Sequence, residues 1–183
     1  MKQFFRLLAL LLILGSAPCM AEDVVIVHNF TSLVSESKIA FSARLGVANA
    51  VGTVNDGIVY TCTGSNNAKF FSPSTGVFAL NLGARMDSVT TTRIANLKEI
   101  KMINVSSSGL LTTDIKLKLS TDGSTWGDAI LFTKGNKTCG ATFSKGDYYV
   151  KLYNSTSPSS GIYITELRFV TEPEDCNCFV YTP

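Results

Sequence analysis

The chain has 183 residues, a formal charge of +2, five cysteines and a single tryptophan. About 160 of those residues follow an N-terminal export signal, an ordinary length for one domain with its own core. With the signal set aside the formal charge is zero, which leaves no electrostatic case for a nucleic acid or an anionic membrane surface.

The signal is MKQFFRLLALLLILGSAPCMA. Lys2 and Arg6 form its positive start, Leu7 to Leu14 its short apolar stretch, and Cys19-Met20-Ala21 its small-residue end. This pattern predicts cleavage after Ala21 and an exported protein that is secreted, periplasmic or held at the cell surface. The apolar run is shorter than the ~20 residues a spanning helix needs. Pro18 before Cys19 does not fit a lipoprotein signal, which wants a small residue there. The 183 residues less these 21 leave 162, and losing Lys2 and Arg6 takes Lys and Arg from 16 to 14, level with the 14 Asp and Glu. No later stretch is long and apolar enough for a transmembrane helix.

From residue 22 onward the pattern is strand after strand. Val24 to Phe30 is rich in β-branched residues, and Gly57 to Thr63 is a second such run, entered through Asn55-Asp56-Gly57. Val77 to Leu82 and Glu99 to Val105 alternate. Asp114 to Ser120 has a clean period of two, with Ile115, Leu117 and Leu119 on one face and Lys116 and Lys118 on the other. Tyr148 to Tyr153 and Ile162 to Val170 repeat the pattern. Asp122-Gly123, Lys134-Gly135-Asn136, Lys145-Gly146-Asp147 and Ser157 to Gly161 supply turn chemistry between them. Helical periodicity is weak throughout, and the Ala-rich stretch Ile39 to Val51 is interrupted by Gly46 and its valines. The expectation is an all-β fold, a two-sheet antiparallel sandwich or a barrel, over residues 22–170. Residues 171–183 then read as an irregular, cysteine-containing tail.

Four cysteines follow the signal: Cys62, Cys139, Cys176 and Cys178. An even number in an oxidising compartment favours disulfides. A Cys176–Cys178 bond would close a very tight ring, so at least one link from the tail to Cys62 or Cys139 is expected. Zinc is the rival reading, against which stand the CxC spacing and the single histidine, His28.

Three segments then stand in order: Leu119-Ser-Thr-Asp-Gly-Ser-Thr-Trp126, Tyr148-Tyr-Val-Lys-Leu-Tyr153 and Ile162-Tyr-Ile-Thr-Glu-Leu-Arg-Phe169. Over about residues 97–170 the chain resembles the C-terminal half of discoidin-type domains, the factor V/VIII type C family. That family belongs to the galactose-binding jelly-roll fold, which includes many bacterial carbohydrate-binding modules. Residues 22–96 do not match the family's usual beginning. The resemblance implies a jelly roll and a Trp126 packed beside its hairpin. It also implies a structural calcium ion held in part by Glu166. Members bind sugars, lipid or protein, or serve as appendages of larger enzymes, so the fold leaves the ligand open.

For a sugar ligand the candidate residues are Phe71, Tyr153, Asn154 and Tyr163. Phe70 and Phe71 are adjacent on a strand and point to opposite faces, and Tyr153 and Tyr163 flank the polar loop Asn154 to Gly161. Against this, Tyr is simply a good strand residue, and Glu166 has an ordinary alternative as a half-buried acid paired with a neighbouring base. Asn29, Asn104, Asn136 and Asn154 begin N-glycosylation sequons. No GxSxG, HExxH or phosphate-loop motif is present. Three functions follow in order: a secreted non-catalytic carbohydrate-binding module, an adhesive or structural surface protein that binds another protein, and a polysaccharide-degrading enzyme.

Overall fold

The computed structural model describes residues 22–42, 48–64, 68–83, 86–104, 115–134, 138–155 and 162–173. The signal, the loop at 156–161, Cys176, Cys178 and nearly all of the tail lie outside the described residues.

The described chain is almost entirely antiparallel β. In chain order it runs β1 (Val24–Asn29), α1 (Phe30–Ser35), β2 (Ile39–Phe41), β3 (Val51–Val54), β4 (Val59–Thr63) and β5 (Lys69–Ser74). It continues with β6 (Val77–Asn81), β7 (Ser88–Thr91), β8 (Ile94–Asn104), β9 (Ile115–Ser120), β10 (Thr133–Lys134), β11 (Thr138–Asn154) and β12 (Tyr163–Thr171). These join into one large curled sheet in the order β2-β3-β4-β7-β11-β8-β12-β6-β5, with β1 on β12 and both β9 and β10 on β11. No described helix is long and apolar enough to cross a membrane.

β11 makes the curl. Its first residues pair with β8 and β10, and its last pair with β7 and β9. Between them the register against β8 shifts on both sides of Gly146. Such bulges add an unpaired residue and sharpen the local twist, which lets one strand serve two differently directed groups of neighbours. The Lys145-Gly146-Asp147 turn signal therefore lies inside a 17-residue strand rather than between two strands. All-β is what the sequence led one to expect. A sandwich of two separate sheets goes further than this arrangement, in which β11 is continuous through both groups.

Two further departures are local. The first run ends one residue early, because Asn29 caps a helix: its Oδ1 accepts from the backbone N–H of Ser32 at 3.1 Å, and its φ of −81° is extended. The Ala-rich stretch after Ile39 opens with β2, and its last residue begins β3. Both strands are short and carry too few alternations to show in the sequence.

Inward side chains of every long strand meet in one core. Tyr60, Phe30, Phe169, Leu97, Ile100, Met102, Leu117 and Leu152 are almost wholly buried there. Full burial of a large apolar side chain stabilises by about 1.5–3 kcal/mol. The alternation in β9 holds over its first four residues, with Ile115 and Leu117 fully buried and Lys116 and Lys118 on the other face, and lapses at its end, where Leu119 is half-buried and Ser120 buried.

Candidate binding groove on the outer face of β9 and β11

The sequence Ser120 to Trp126 folds into a tightly bonded turn. The Asp122 carboxylate accepts from the backbone N–H groups of Ser124 and Thr125 at 2.8 and 2.7 Å, and from the Ser120 hydroxyl at 2.8 Å. Ser120 Oγ in turn accepts from the N–H of Gly123 at 2.9 Å. These donors hold the Asp122 carboxyl well below the usual carboxylate range. Gly123 has φ +77°, and the Tyr149 ring packs so close that a Cβ there would lie 3.3 Å from it. The turn returns to β9 through the Gly127 N–H, which donates to the Leu119 carbonyl at 3.0 Å. Its effect is to place Trp126 over the outer face of β11.

There Trp126 lines an open groove of about 320 Å³ with Met86, Lys118, Lys151 and Tyr153. Lys118 and Lys151 stand directly opposite each other on β9 and β11, and Lys116 stands opposite Tyr153. The Lys151 ammonium lies 5.6 Å from the Trp126 ring centre and the Lys118 ammonium 6.0 Å from that of Tyr153. Met86 forms the rim. It is 69% exposed and has φ +71°, an unusual backbone for a side chain of its size. Hydrogen bonds on either side hold it: the Met86 N–H donates to the Asn154 carbonyl at 3.0 Å, and the Asn154 N–H to the Asp87 carbonyl at 2.8 Å.

The four expected sugar-contacting residues do not form one site. Tyr153 is in the groove. Asn154 follows it in the strand and points inward, fully buried, with Nδ2 donating to the Leu82 carbonyl at 2.9 Å. It supports the groove's rim through the backbone. Phe71 and Tyr163 meet elsewhere, stacked with ring centres 6.0 Å apart on β5 and β12, and the Lys69 ammonium lies 5.4 Å from the Phe71 centre. Trp126, expected to pack beside its hairpin, lines the groove with the Lys151 ammonium over its ring. The lysines of the groove carry no signal of their own in the sequence, where Lys116 and Lys118 are merely the polar half of an alternating strand.

Glu166, the candidate calcium ligand, lies in β12 with both oxygens engaged. Oε1 accepts from Arg168 Nε at 2.5 Å and Oε2 from Asn29 Nδ2 at 3.0 Å. No group of three or more His, Cys, Asp or Glu among the described residues is arranged to hold a metal ion. His28, the single histidine, is buried and bonded to Tyr60 and Asp56. Cys62 and Cys139 are both buried, and no disulfide joins two described residues. Burial and the neighbouring Asp87 charge push the Cys62 thiol up to about 12. Asn29 and Asn154, two of the sequon asparagines, have their side-chain amides occupied.

The chain matches no protein-family model and no curated protein.

Proposed function

We propose that this is an exported, non-catalytic carbohydrate-binding module of the β-sandwich type, with the groove beside Trp126 as its sugar site. The observation that carries the proposal is the pair of rings, Trp126 and Tyr153, held on the solvent side of β11 in a groove of about 320 Å³. Sugar C–H groups pack on aromatic faces, and ammonium groups alongside donate to ring hydroxyls. The groove's described lining has no carboxylate, histidine or cysteine to act as acid, base or nucleophile. The likeness of residues 97–170 to discoidin-type domains and the predicted export signal support the same reading.

The test uses the chain's single tryptophan. Polysaccharides titrated into the purified protein should shift Trp126 emission, and should retard the protein in affinity electrophoresis. If neutral and acidic polysaccharides alike leave both readouts unchanged, the proposal fails.

One observation favours protein binding instead. β1 pairs with β12 along one side only among the described residues, and its Val24, Val25 and Val27 are each about half exposed. Exposed apolar edge strands recruit further strands. Concentration-dependent self-association in analytical ultracentrifugation, abolished by Val27→Lys, would support that reading.

A further inference from the structure

We infer that the groove selects acidic saccharides, and that a carboxylate or sulfate on the sugar sits between Lys118 and Lys151. The inference rests on the carbohydrate reading above and adds the ligand's charge.

Lys118 and Lys151 are direct cross-strand partners. Such residues have Cβ atoms about 4.5–5.5 Å apart, and like charges placed so are destabilising. Four other described lysines stand beside acids, Lys38 with Glu36, Lys98 with Asp23, Lys101 with Glu99 and Lys145 with Glu172, while Lys69 rests over Phe71 without one among the described residues. Lys116, Lys118 and Lys151 have no carboxylate within ion-pair distance among the described residues. The acid nearest in sequence on this turn, Asp122, has its carboxylate committed to Ser120, Ser124 and Thr125. Three uncompensated cations thus gather on one face of a chain whose exported part is formally neutral.

The rings give the arrangement its selectivity. In the free protein each groove ammonium rests over a ring, Lys151 over Trp126 and Lys118 over Tyr153. A neutral sugar stacking on either ring displaces a cation and offers it only an uncharged hydroxyl in return. An anionic group between the two strands draws both ammoniums toward itself, relieves their repulsion and frees the ring faces for the sugar's C–H groups. A carboxylate or sulfate meets each ammonium with charge on both partners, whereas a sugar hydroxyl brings none. Ring and charge contacts are therefore best satisfied together by an acidic saccharide.

The experiment is a Trp126 fluorescence titration with four probes: polygalacturonate, dextran sulfate, neutral dextran and polyglutamate. The expected result is a saturable shift with at least one acidic polysaccharide, with affinity at least tenfold above that for dextran. That affinity should fall by tenfold or more on raising salt from about 0.05 to about 0.5 M. Lys118→Gln with Lys151→Gln should abolish binding, and the paired Arg substitutions should restore it. Polygalacturonate against dextran sulfate distinguishes carboxylate from sulfate. Dextran binding as tightly as the acidic probes would overturn the inference and leave the carbohydrate reading standing. Polyglutamate binding equally well would overturn the sugar reading. Acidic polysaccharide binding that survives the Gln pair, or that leaves Trp126 emission unchanged, would place the site elsewhere and overturn the inference. Thermal melts of both pairs separate loss of binding from loss of fold.

Discussion

The imidazole of His28 on β1 is joined to the hydroxyl of Tyr60 on β4, with Nδ1 and Oη 2.5 Å apart. β1 belongs with β12 and β4 with β7, so the bond ties two groups of strands that meet through β11. His28 is 2% exposed and Tyr60 fully buried. The other imidazole nitrogen, Nε2, lies 2.6 Å from Asp56 Oδ2, in the turn before β4. With a neutral imidazole, Nε2–H donates to Asp56 and Nδ1 accepts from Tyr60, and every polar atom of the trio has a partner. Burial, with the Asp56 charge second, pushes the Tyr60 hydroxyl well above its ordinary value, so it stays a donor.

Tyr60→Phe should therefore cost more than a surface hydroxyl would. It leaves His28 Nδ1 buried without a partner, a loss of about 1–3 kcal/mol. His28→Leu strands the hydroxyl instead. The double variant should be less destabilised than the two singles together, because it leaves neither group orphaned. Urea denaturation of the four proteins measures this, and a strictly additive cycle would show that the bond does not link the two strand groups energetically.

Asp122 governs the Trp126 turn, and its effect depends on pH. The folded carboxyl is held below its unfolded value, so the unfolded chain takes up the proton first. The stabilisation is complete above about pH 5, and it is lost progressively as the pH falls below about 4 toward the folded value. Asp122→Asn should lower Tm at neutral pH and flatten the acid limb of the Tm–pH curve. If the groove binds saccharide as proposed, the substitution should also weaken that binding by loosening Trp126. An unchanged acid limb would count against this role.

These two sites differ in how far the sequence reveals them. Ser120, Asp122, Gly123 and Trp126 act over a span of seven residues, so turn chemistry and spacing expose the motif directly. The alternation of Ile115 to Leu119 likewise reveals which face of β9 is inward. His28, Asp56 and Tyr60 are 28 and 32 residues apart and come together only when the sheet curls. β11 was obscured because Gly146, a residue that suits both a turn and a bulge, sits in its middle. Tyr153 and Asn154 looked alike as polar strand-end residues, yet strand alternation sends one out to the groove and the other into the core.

Cys62 should behave as an inert thiol. With its pKa pushed up to about 12, roughly one molecule in ten thousand carries the thiolate at pH 8, and the side chain is 1% exposed. Iodoacetamide should leave it unmodified in the native protein and alkylate it in guanidinium. Differential alkylation with mass spectrometry reads both states. Finding Cys62 oxidised to Cys176 or Cys178 would overturn this and establish the expected tail link at that residue.

Glu166 joins three elements through its two oxygens. Asn29 caps α1 with Oδ1 while its Nδ2 donates to Glu166, and Arg168 holds the other oxygen from the same strand. The side chain of Glu166 is 12% exposed and that of Arg168 42%. The partly solvated Arg limits the ion pair to a modest contribution, so the carboxylate acts chiefly by orienting the Asn29 amide. Glu166→Ala should cost about 1 kcal/mol, since it takes the acceptor from the half-buried Asn29 amide. Glu166→Gln should cost less, because its carbonyl oxygen still accepts from Asn29. If the pairing with Asn29 and Arg168 is the residue's role, millimolar calcium or EDTA should leave Tm of the unmodified protein unchanged. A calcium-dependent rise in Tm, absent from Glu166→Gln, would instead assign the carboxylate to a metal ion.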